Sequence, residues 1–232
     1  MIIDRPRPSR TLDYHLVLPA PGDPIGAGIL VEEFTRQEDF CATGLQSASW
    51  TPGGGWWSSA ALSLGLRADP AVLARVVPTG PAEAADAYRR LGGGELPSEV
   101  VLRTYFRDHQ PIAVAAPLRL GPSRPPDGFS EQRVYRVLFA KDLRAEQVAA
   151  LRRRWRTTGG GTAGSVADGR HDSGGARFSW HLRRVGHTLA WGLDVTALVR
   201  IGGADAVPAI LADLTNLLRQ HGLVTVTTER FA

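Results

Sequence analysis

The side chains that could do chemistry in this sequence lie on two neighbouring segments in which apolar and polar residues alternate. Residues 178–182 and 189–195 each place large apolar residues, two tryptophans among them, at every second position. A period of two predicts a pair of strands with the tryptophans on a buried face. The opposite face then carries Ser179, His181, Arg183, Thr188 and Asp194.

The dipeptide Gly186-His187 between the two segments suits a two-residue hairpin turn, because glycine readily adopts positive φ. That turn predicts that His181 lies opposite Gly192 and that Ser179 lies opposite Asp194. A glycine across from the imidazole would leave open space for a ligand.

The chemistry expected there is the binding of a small anionic or carbonyl ligand. His181 could serve as acid, base or hydrogen-bond donor, with Asp194 orienting the imidazole. These two residues are the catalytic candidates. The ligand-binding candidates on the same face are Arg136, Ser179, Arg183 and Thr225. The alternative interpretation is a solvated outer sheet face, or a face that packs on the other half of the chain.

No complete catalytic signature accompanies these residues. The glycine runs lack the lysine that ends a P-loop, and the sequence has neither a His-Glu-x-x-His zinc motif nor a Gly-x-Ser-x-Gly elbow. The one cysteine, Cys41, permits no intrachain disulfide. The sequence therefore predicts no cofactor and no metal site, and it leaves open whether the protein is an enzyme.

The charge of the chain is a poor guide to its partners. Net charge is +4 and the pI is about 9.8, but Lys141 is the only lysine among 27 basic residues. Abundant Arg, Gly, Pro and Ala indicates GC-rich coding, which raises pI without a selected basic surface. Nucleic acid is therefore not favoured as a partner. No apolar run is long enough to cross a bilayer, and no apolar region follows the charged residues 1–10 as it would in a signal peptide, so a cytoplasmic location without a membrane is expected.

The C-terminal half, residues 131–232, predicts an α+β unit. A strand over 133–140 precedes a helix that ends at Gly159, and a long loop runs to about Gly175. The alternating pair, a helix from Asp205 to Gly222 and a strand over 223–228 follow. The order βαββαβ is that of the ferredoxin-like fold, with antiparallel strands and both helices on one face.

The N-terminal half, residues 11–121, can be interpreted in the same order, which would give two such halves in tandem. It would contain a strand over 12–18, a short helix within 25–40 and a hairpin over 44–66. Helical pieces over 69–77 and 81–91 precede a second hairpin over 100–120. Residues 1–10 are expected to form a flexible arm, and 122–130 a proline-rich connector.

Three hypotheses of function remain open. The first is a ligand-binding or accessory protein; the second is a small-molecule enzyme of the isomerase, cyclase or oxygenase type that uses the face around His181. The third is an RNA-binding protein. This hypothesis is less favoured, because RNA binding on a sheet needs aromatic residues on the open face and the tryptophans are expected on the buried face. An open sheet face is also compatible with a homodimer. The organisation resembles tandem ferredoxin-like proteins, which include haem-binding, oxygenase and RNA-processing members, and this resemblance identifies no site residue.

Overall fold

The structure is a computed structural model that describes residues 11–113, 124–156, 164–186 and 190–231. Within these ranges the chain is α+β, with two antiparallel sheets and six helices. The first sheet is built from the N-terminal half and the second from the C-terminal half. No helix in the described ranges is both long and apolar enough to span a membrane.

The first sheet has six strands in the order β4-β3-β2-β1-β5, and β6 pairs with the outer part of β3. Its strands are β1 (Asp13–Val17), β2 (Gly28–Arg36), β3 (Ala42–Thr51), β4 (Gly55–Ser58), β5 (Val76–Thr79) and β6 (His109–Pro111). The helices of this half are α1 (Ala60–Ala68), α2 (Pro70–Ala74), α3 (Pro81–Arg90) and α4 (Glu99–Arg103). One sheet face packs on α3 and α4, and the other on α1 and the C-terminal half.

Strand β2 and helix α1 show why the predicted order fails in this half. Residues 25–40 were expected to hold a helix, but β2 is covered on both faces, so its apolar run carries no period of two. Leu62, Leu64 and Leu66 alternate like a strand, yet they lie on α1, where Leu62 and Leu66 pack inward and Leu64 is exposed. Their spacing of four residues equally fits one helix face.

The second predicted hairpin of the N-terminal half is also wrong in its first strand. Residues 99–103 form α4, with Leu102 buried against the first sheet. Most of the strand expected over 112–120 lies outside the described residues. The N-terminal element order is therefore not βαββαβ.

The second sheet has five strands in the order β11-β7-β10-β9-β8, all antiparallel. Its strands are β7 (Glu131–Ala140), β8 (Ser165–Ser173), β9 (Ala176–Arg184), β10 (Ala190–Val199) and β11 (Val224–Arg230). Helices α5 (Ala145–Trp155) and α6 (Ala206–Gln220) pack on one face and share its apolar core. The other face has no helix from the described residues.

Strand β8 is an element that the sequence did not reveal. Residues 165–173, expected as part of a long loop, pair with β9 through a tight turn at Gly174-Gly175, both with positive φ. Two positive φ values in a row are typical of the type I′ hairpin turn. Gly169 sits opposite Trp180, whose ring occupies the place that a side chain at 169 would need. The strand was missed because its exposed end is polar throughout.

The two sheets are joined by basic side chains. Arg67 Nη2 donates to Thr225 O at 2.8 Å, and Arg219 Nη2 donates to Tyr14 O at 3.1 Å. Lys141 Nζ donates to Val76 O. The predicted domain boundaries remain a prediction; the arm over 1–10 and the first residues of the connector lie outside the described ranges.

Candidate functional site

The open face of the second sheet carries the predicted site, but the strand pairing differs from the expected one. His181 lies opposite Asp194, and Ser179 lies opposite Thr196. The expected partner of His181 was Gly192, so the predicted register is wrong by two residues. Because side chains alternate with a period of two, a shift of two leaves every side chain on its expected face.

The glycine on this hairpin serves packing. Gly192 lies opposite Arg183, and a Cβ at Gly192 would lie 2.9 Å from Val185 Cγ2. The prediction of open space beside the imidazole is therefore wrong. The space that Gly192 leaves lies beside Arg183, and the side chain of Val185 occupies it.

The tryptophans lie on the helix-covered face, as the alternation predicts. Trp191 is 1% exposed and Trp180 is 7% exposed. Trp155 of α5 meets Trp180 edge-on, with ring centroids 5.9 Å apart. Since strand side chains point alternately to the two faces, His181 and Asp194 project to the opposite face, where both are half-buried.

Asp194 is the centre of the site. Its Oδ1 accepts from Arg136 Nε at 2.6 Å, and its Oδ2 accepts from Arg136 Nη2 at 3.1 Å and from Arg183 Nε at 2.9 Å. Burial raises the pKa of Asp194, but the hydrogen bonds from the two arginines outweigh burial, so its pKa lies below the ordinary value. One carboxylate thus holds two guanidinium groups side by side.

A row of charges crosses the sheet at this level. The register places side by side one residue from each strand, in the order Glu229, Arg136, Asp194, His181 and Asp168. Directly opposed residues on neighbouring strands have Cβ atoms about 5 Å apart. The sign alternates along the row, so each charge lies beside an opposite or titratable one.

The two arginines are held differently. Arg136 is fixed on two sides, by the bidentate contact with Asp194 and by the ring of Phe231, whose centroid is 4.7 Å from its guanidinium carbon. Arg183 contacts Asp194 through Nε alone and makes no other ion pair with a residue that the structure describes. The edge of the Arg183 guanidinium that carries its two Nη groups is thus better placed than the guanidinium of Arg136 to bind a ligand.

Thr225 does not belong to this face, which corrects its assignment as a ligand-binding candidate. It lies opposite Phe139 of the buried face and is 2% exposed. A bulge between Thr225 and Thr227 shifts the pairing of β11. Residues before the bulge therefore do not continue the alternation of faces that holds after it. The carbonyl of Thr225 instead receives Arg67 from the other half.

A second polar cluster, buried between the two sheets, was missed by the sequence analysis. His15 Nε2 lies 3.1 Å from Glu32 Oε2, and both side chains are about 1% exposed. Arg67 contacts the two oxygens of Glu32 at 2.9 and 3.1 Å. Asp13 and Arg219 form a neighbouring ion pair at 2.8 Å. The available signal was the pair of polar residues Asp13 and His15, two positions apart on β1; Glu32 was concealed in a segment expected to be helical.

The protonation states in this cluster follow from burial and pairing. Complete burial lowers the pKa of His15, and the nearby Glu32 opposes this only in part. For Glu32, burial raises the pKa but Arg67 and His15 outweigh it, so its pKa lies well below the ordinary value. The cluster therefore contains a neutral imidazole beside a carboxylate neutralised by arginine. Among the described residues, His15 Nδ1 has no hydrogen-bond partner.

No family model, curated protein or solved structure matches this chain. In the part of the chain that the structure describes, no three His, Cys, Asp or Glu side chains converge as a metal site would require. The assignment of function therefore depends on the geometry of the open face.

Proposed function

We propose that this protein is a ligand-binding protein that takes a small carboxylate on the open face of its second sheet. Asp194 lies directly opposite His181 and holds the guanidinium groups of Arg136 and Arg183 together. This arrangement is the observation that carries the proposal. Two guanidiniums and an imidazole around one internal carboxylate give a site with an excess of hydrogen-bond donors.

Arg183 is the primary ligand contact in this proposal. Its Nε is fixed by Asp194, so the guanidinium plane is oriented before a ligand arrives. The end-on pair of Nη groups matches the two oxygens of a carboxylate in bidentate geometry. Preorganisation lowers the entropy cost of binding. His181 and Ser179, two and four residues back on the same strand and face, add donors along the ligand.

The geometry gives less support to the enzyme hypothesis. Both oxygens of Asp194 accept hydrogen bonds from arginines, and its pKa is lowered. Asp194 is therefore a weak base and is engaged elsewhere, so the expected orienting role toward His181 is not its main contact. A binding role for His181 needs no such partner.

RNA binding also receives less support. The row across the open face contains three carboxylates, at Asp168, Asp194 and Glu229, beside its cations. A phosphate backbone would be repelled along such a row, whereas a small carboxylate bound to Arg183, two residues along β9 from His181, need not contact these three carboxylates.

The scaffold that we infer for this site is a ferredoxin-like unit with one additional strand. Four strands in the order β11-β7-β10-β9 with two helices on one face have the arrangement of a βαββαβ fold, and β8 extends its edge. Such a scaffold leaves one sheet face open for a ligand.

The test is a titration with acetate, succinate and citrate at constant ionic strength, followed by NMR of the arginine Nε–H groups. We expect at least one probe to shift Arg183 saturably, and Arg183→Gln to weaken its binding at least tenfold. The matched control is Arg90→Gln on α3, an exposed arginine of the N-terminal half, which should leave binding unchanged. Equal affinity in the parent and the Arg183→Gln variant would contradict the proposal, as would the absence of saturation with all three probes.

A further inference from the structure

We propose a second site, for the phosphate group of a small phosphorylated solute, in a cleft at the turn between β8 and β9. The cleft encloses about 240 Å³ and we call it the turn cleft. It is lined by Asp172, Ser173, Gly174, Gly175, Ala176, Arg177 and Arg200.

Close glycine packing fixes the β8–β9 turn that lines the turn cleft. A Cβ at Gly203 would lie 2.6 Å from the carbonyl oxygen of Gly175, so the β8–β9 turn and the segment after β10 meet backbone to backbone. Arg200 N–H donates to the same carbonyl at 3.0 Å. Main-chain atoms packed this tightly hold the walls in place, and glycines let a ligand approach the backbone.

One aromatic ring orients both arginines of the turn cleft. The guanidinium carbon of Arg200 lies 5.1 Å from the centroid of Phe129, and that of Arg177 lies 5.5 Å from it. Each contact at an exposed position contributes roughly 0.5–1 kcal/mol. The two cations therefore have preferred positions at the border of the same cavity.

The charge balance of the turn cleft favours an anion. Arg177 Nε contacts Asp172 Oδ1 at 3.2 Å, but these side chains are 51% and 66% exposed. An exposed pair of this kind is worth about 1 kcal/mol or less, so Arg177 can turn to a ligand at little cost. Arg200 has no ion pair with any residue in the described ranges. Two cations and one carboxylate leave a net positive charge.

Size and charge together point to a phosphate group. A phosphate dianion offers oxygens to two guanidinium forks at once, whereas a single carboxylate saturates one. The cleft opens to solvent, and its volume of about 240 Å³ has room for a phosphate with a few attached atoms. The hydroxyl of Ser173 at the edge supplies a further donor.

The turn cleft is independent of the carboxylate site proposed above. Arg177 precedes Ser179 by two residues and His181 by four on β9, which places it about 7 Å from the first and about 13 Å from the second along the strand at about 3.3 Å per residue. Arg183 lies a further two residues along the strand. One small ligand cannot reach from Arg200 to Arg183, so the two proposals can fail separately.

The test is calorimetric titration with inorganic phosphate and with glycerol 3-phosphate at constant ionic strength. We expect Arg200→Gln to weaken binding of both probes at least tenfold, Arg200→Lys to restore part of the loss, and Arg183→Gln to change it less than twofold. The structural control is Arg170→Gln, whose exposed side chain does not line the turn cleft.

The outcomes separate the two sites. Phosphate binding that survives Arg200→Gln, or that is absent from the parent protein, overturns the turn-cleft proposal. Phosphate binding lost in Arg183→Gln but kept in Arg200→Gln would also overturn it and would assign the anion to the first site. Because Arg200 is exposed, the Arg200→Gln variant should fold, and an unchanged Tm would verify this.

Discussion

Lowering the pH from 7.5 to 5.5 should destabilise this protein through His15. Burial lowers the pKa of His15 in the folded state, whereas in the unfolded chain it returns to about 6.5. The unfolded state therefore binds a proton more readily. Stability is fully present above pH 6.5 and decreases as the pH falls below that value.

The magnitude follows from proton linkage. While His15 stays neutral in the folded protein, each pH unit below 6.5 costs about 1.4 kcal/mol, so the interval from pH 7.5 to 5.5 costs roughly 1.4 kcal/mol in total. For a chain of this length that is a decrease of about 3–6 °C in Tm. The pKa of Glu32 is also lowered, but its contribution disappears only below its ordinary value near 4.5, outside this interval.

The groups that surround His15 determine the sign of the effect. Glu32 on β2 favours the imidazolium but is already paired with Arg67 of α1, and Arg219 of α6 opposes a second positive charge. Asp13 on β1 is paired with Arg219. Protonation therefore adds a net positive charge to a buried site whose two carboxylates are already matched by arginines.

The assay is urea unfolding at both pH values, followed by tryptophan fluorescence and far-UV circular dichroism. The variant His15→Gln keeps an N–H donor but does not titrate. We expect its free energy of unfolding to depend less on pH than that of the parent, because unfolding of the variant takes up about one proton fewer at low pH. His221, whose pKa burial also lowers, retains its share of the loss. His171→Gln, at an exposed position of β8, is the matched control and should behave as the parent. An unchanged pH dependence in His15→Gln would refute the reasoning.

Three further predictions test other parts of the structure. Asp194→Ala should cost about 1–3 kcal/mol because it leaves two guanidiniums without their carboxylate; added formate should raise the Tm of this variant more than that of the parent, and equal shifts in the two proteins would contradict the geometry. Gly169→Ala should cost about 1–3 kcal/mol and alter the near-UV circular dichroism, since its Cβ would lie 2.5 Å from the ring of Trp180; a neutral effect would place that ring elsewhere. The thiol of Cys41 is 3% exposed and burial raises its pKa to about 11, so the folded protein should react with Ellman's reagent at pH 8 only as fast as it unfolds; rapid labelling of folded protein would show that the thiol is accessible.

The face assignments of β9 and β10 could be predicted from the sequence because a period of two depends only on parity, whereas that of Thr225 on β11 failed at a bulge. The register could not be predicted, since it depends on the length of the hairpin loop. Val185 N–H donates to Ala190 O at 3.0 Å, so these two residues pair across the hairpin, which the expected Gly186-His187 dipeptide turn would not allow. Both connections keep His181 and Asp194 on one face, which is why the site residues came together although their pairing was wrong.

The N-terminal half was less predictable for two physical reasons. A strand that is covered on both faces, such as β2, has no alternation to detect, and Glu32 was therefore not recognised as a strand residue beside His15. Short leucine repeats such as Leu62 and Leu66 fit a strand face and a helix face equally well. The buried ionic cluster is formed by contacts that are distant in sequence, and no local pattern announces such contacts.

Three of the links between the two halves of the chain are chemically asymmetric. Lys141, Arg67 and Arg219 supply the donors, while the acceptors at Val76, Thr225 and Tyr14 are main-chain carbonyls. Every amino acid presents the same carbonyl, so replacement of an accepting residue removes no oxygen. A mutational scan of this protein should therefore find that substitution of the three cations is not tolerated. The accepting residues Val76, Thr225 and Tyr14 should tolerate substitution within the limits set by packing.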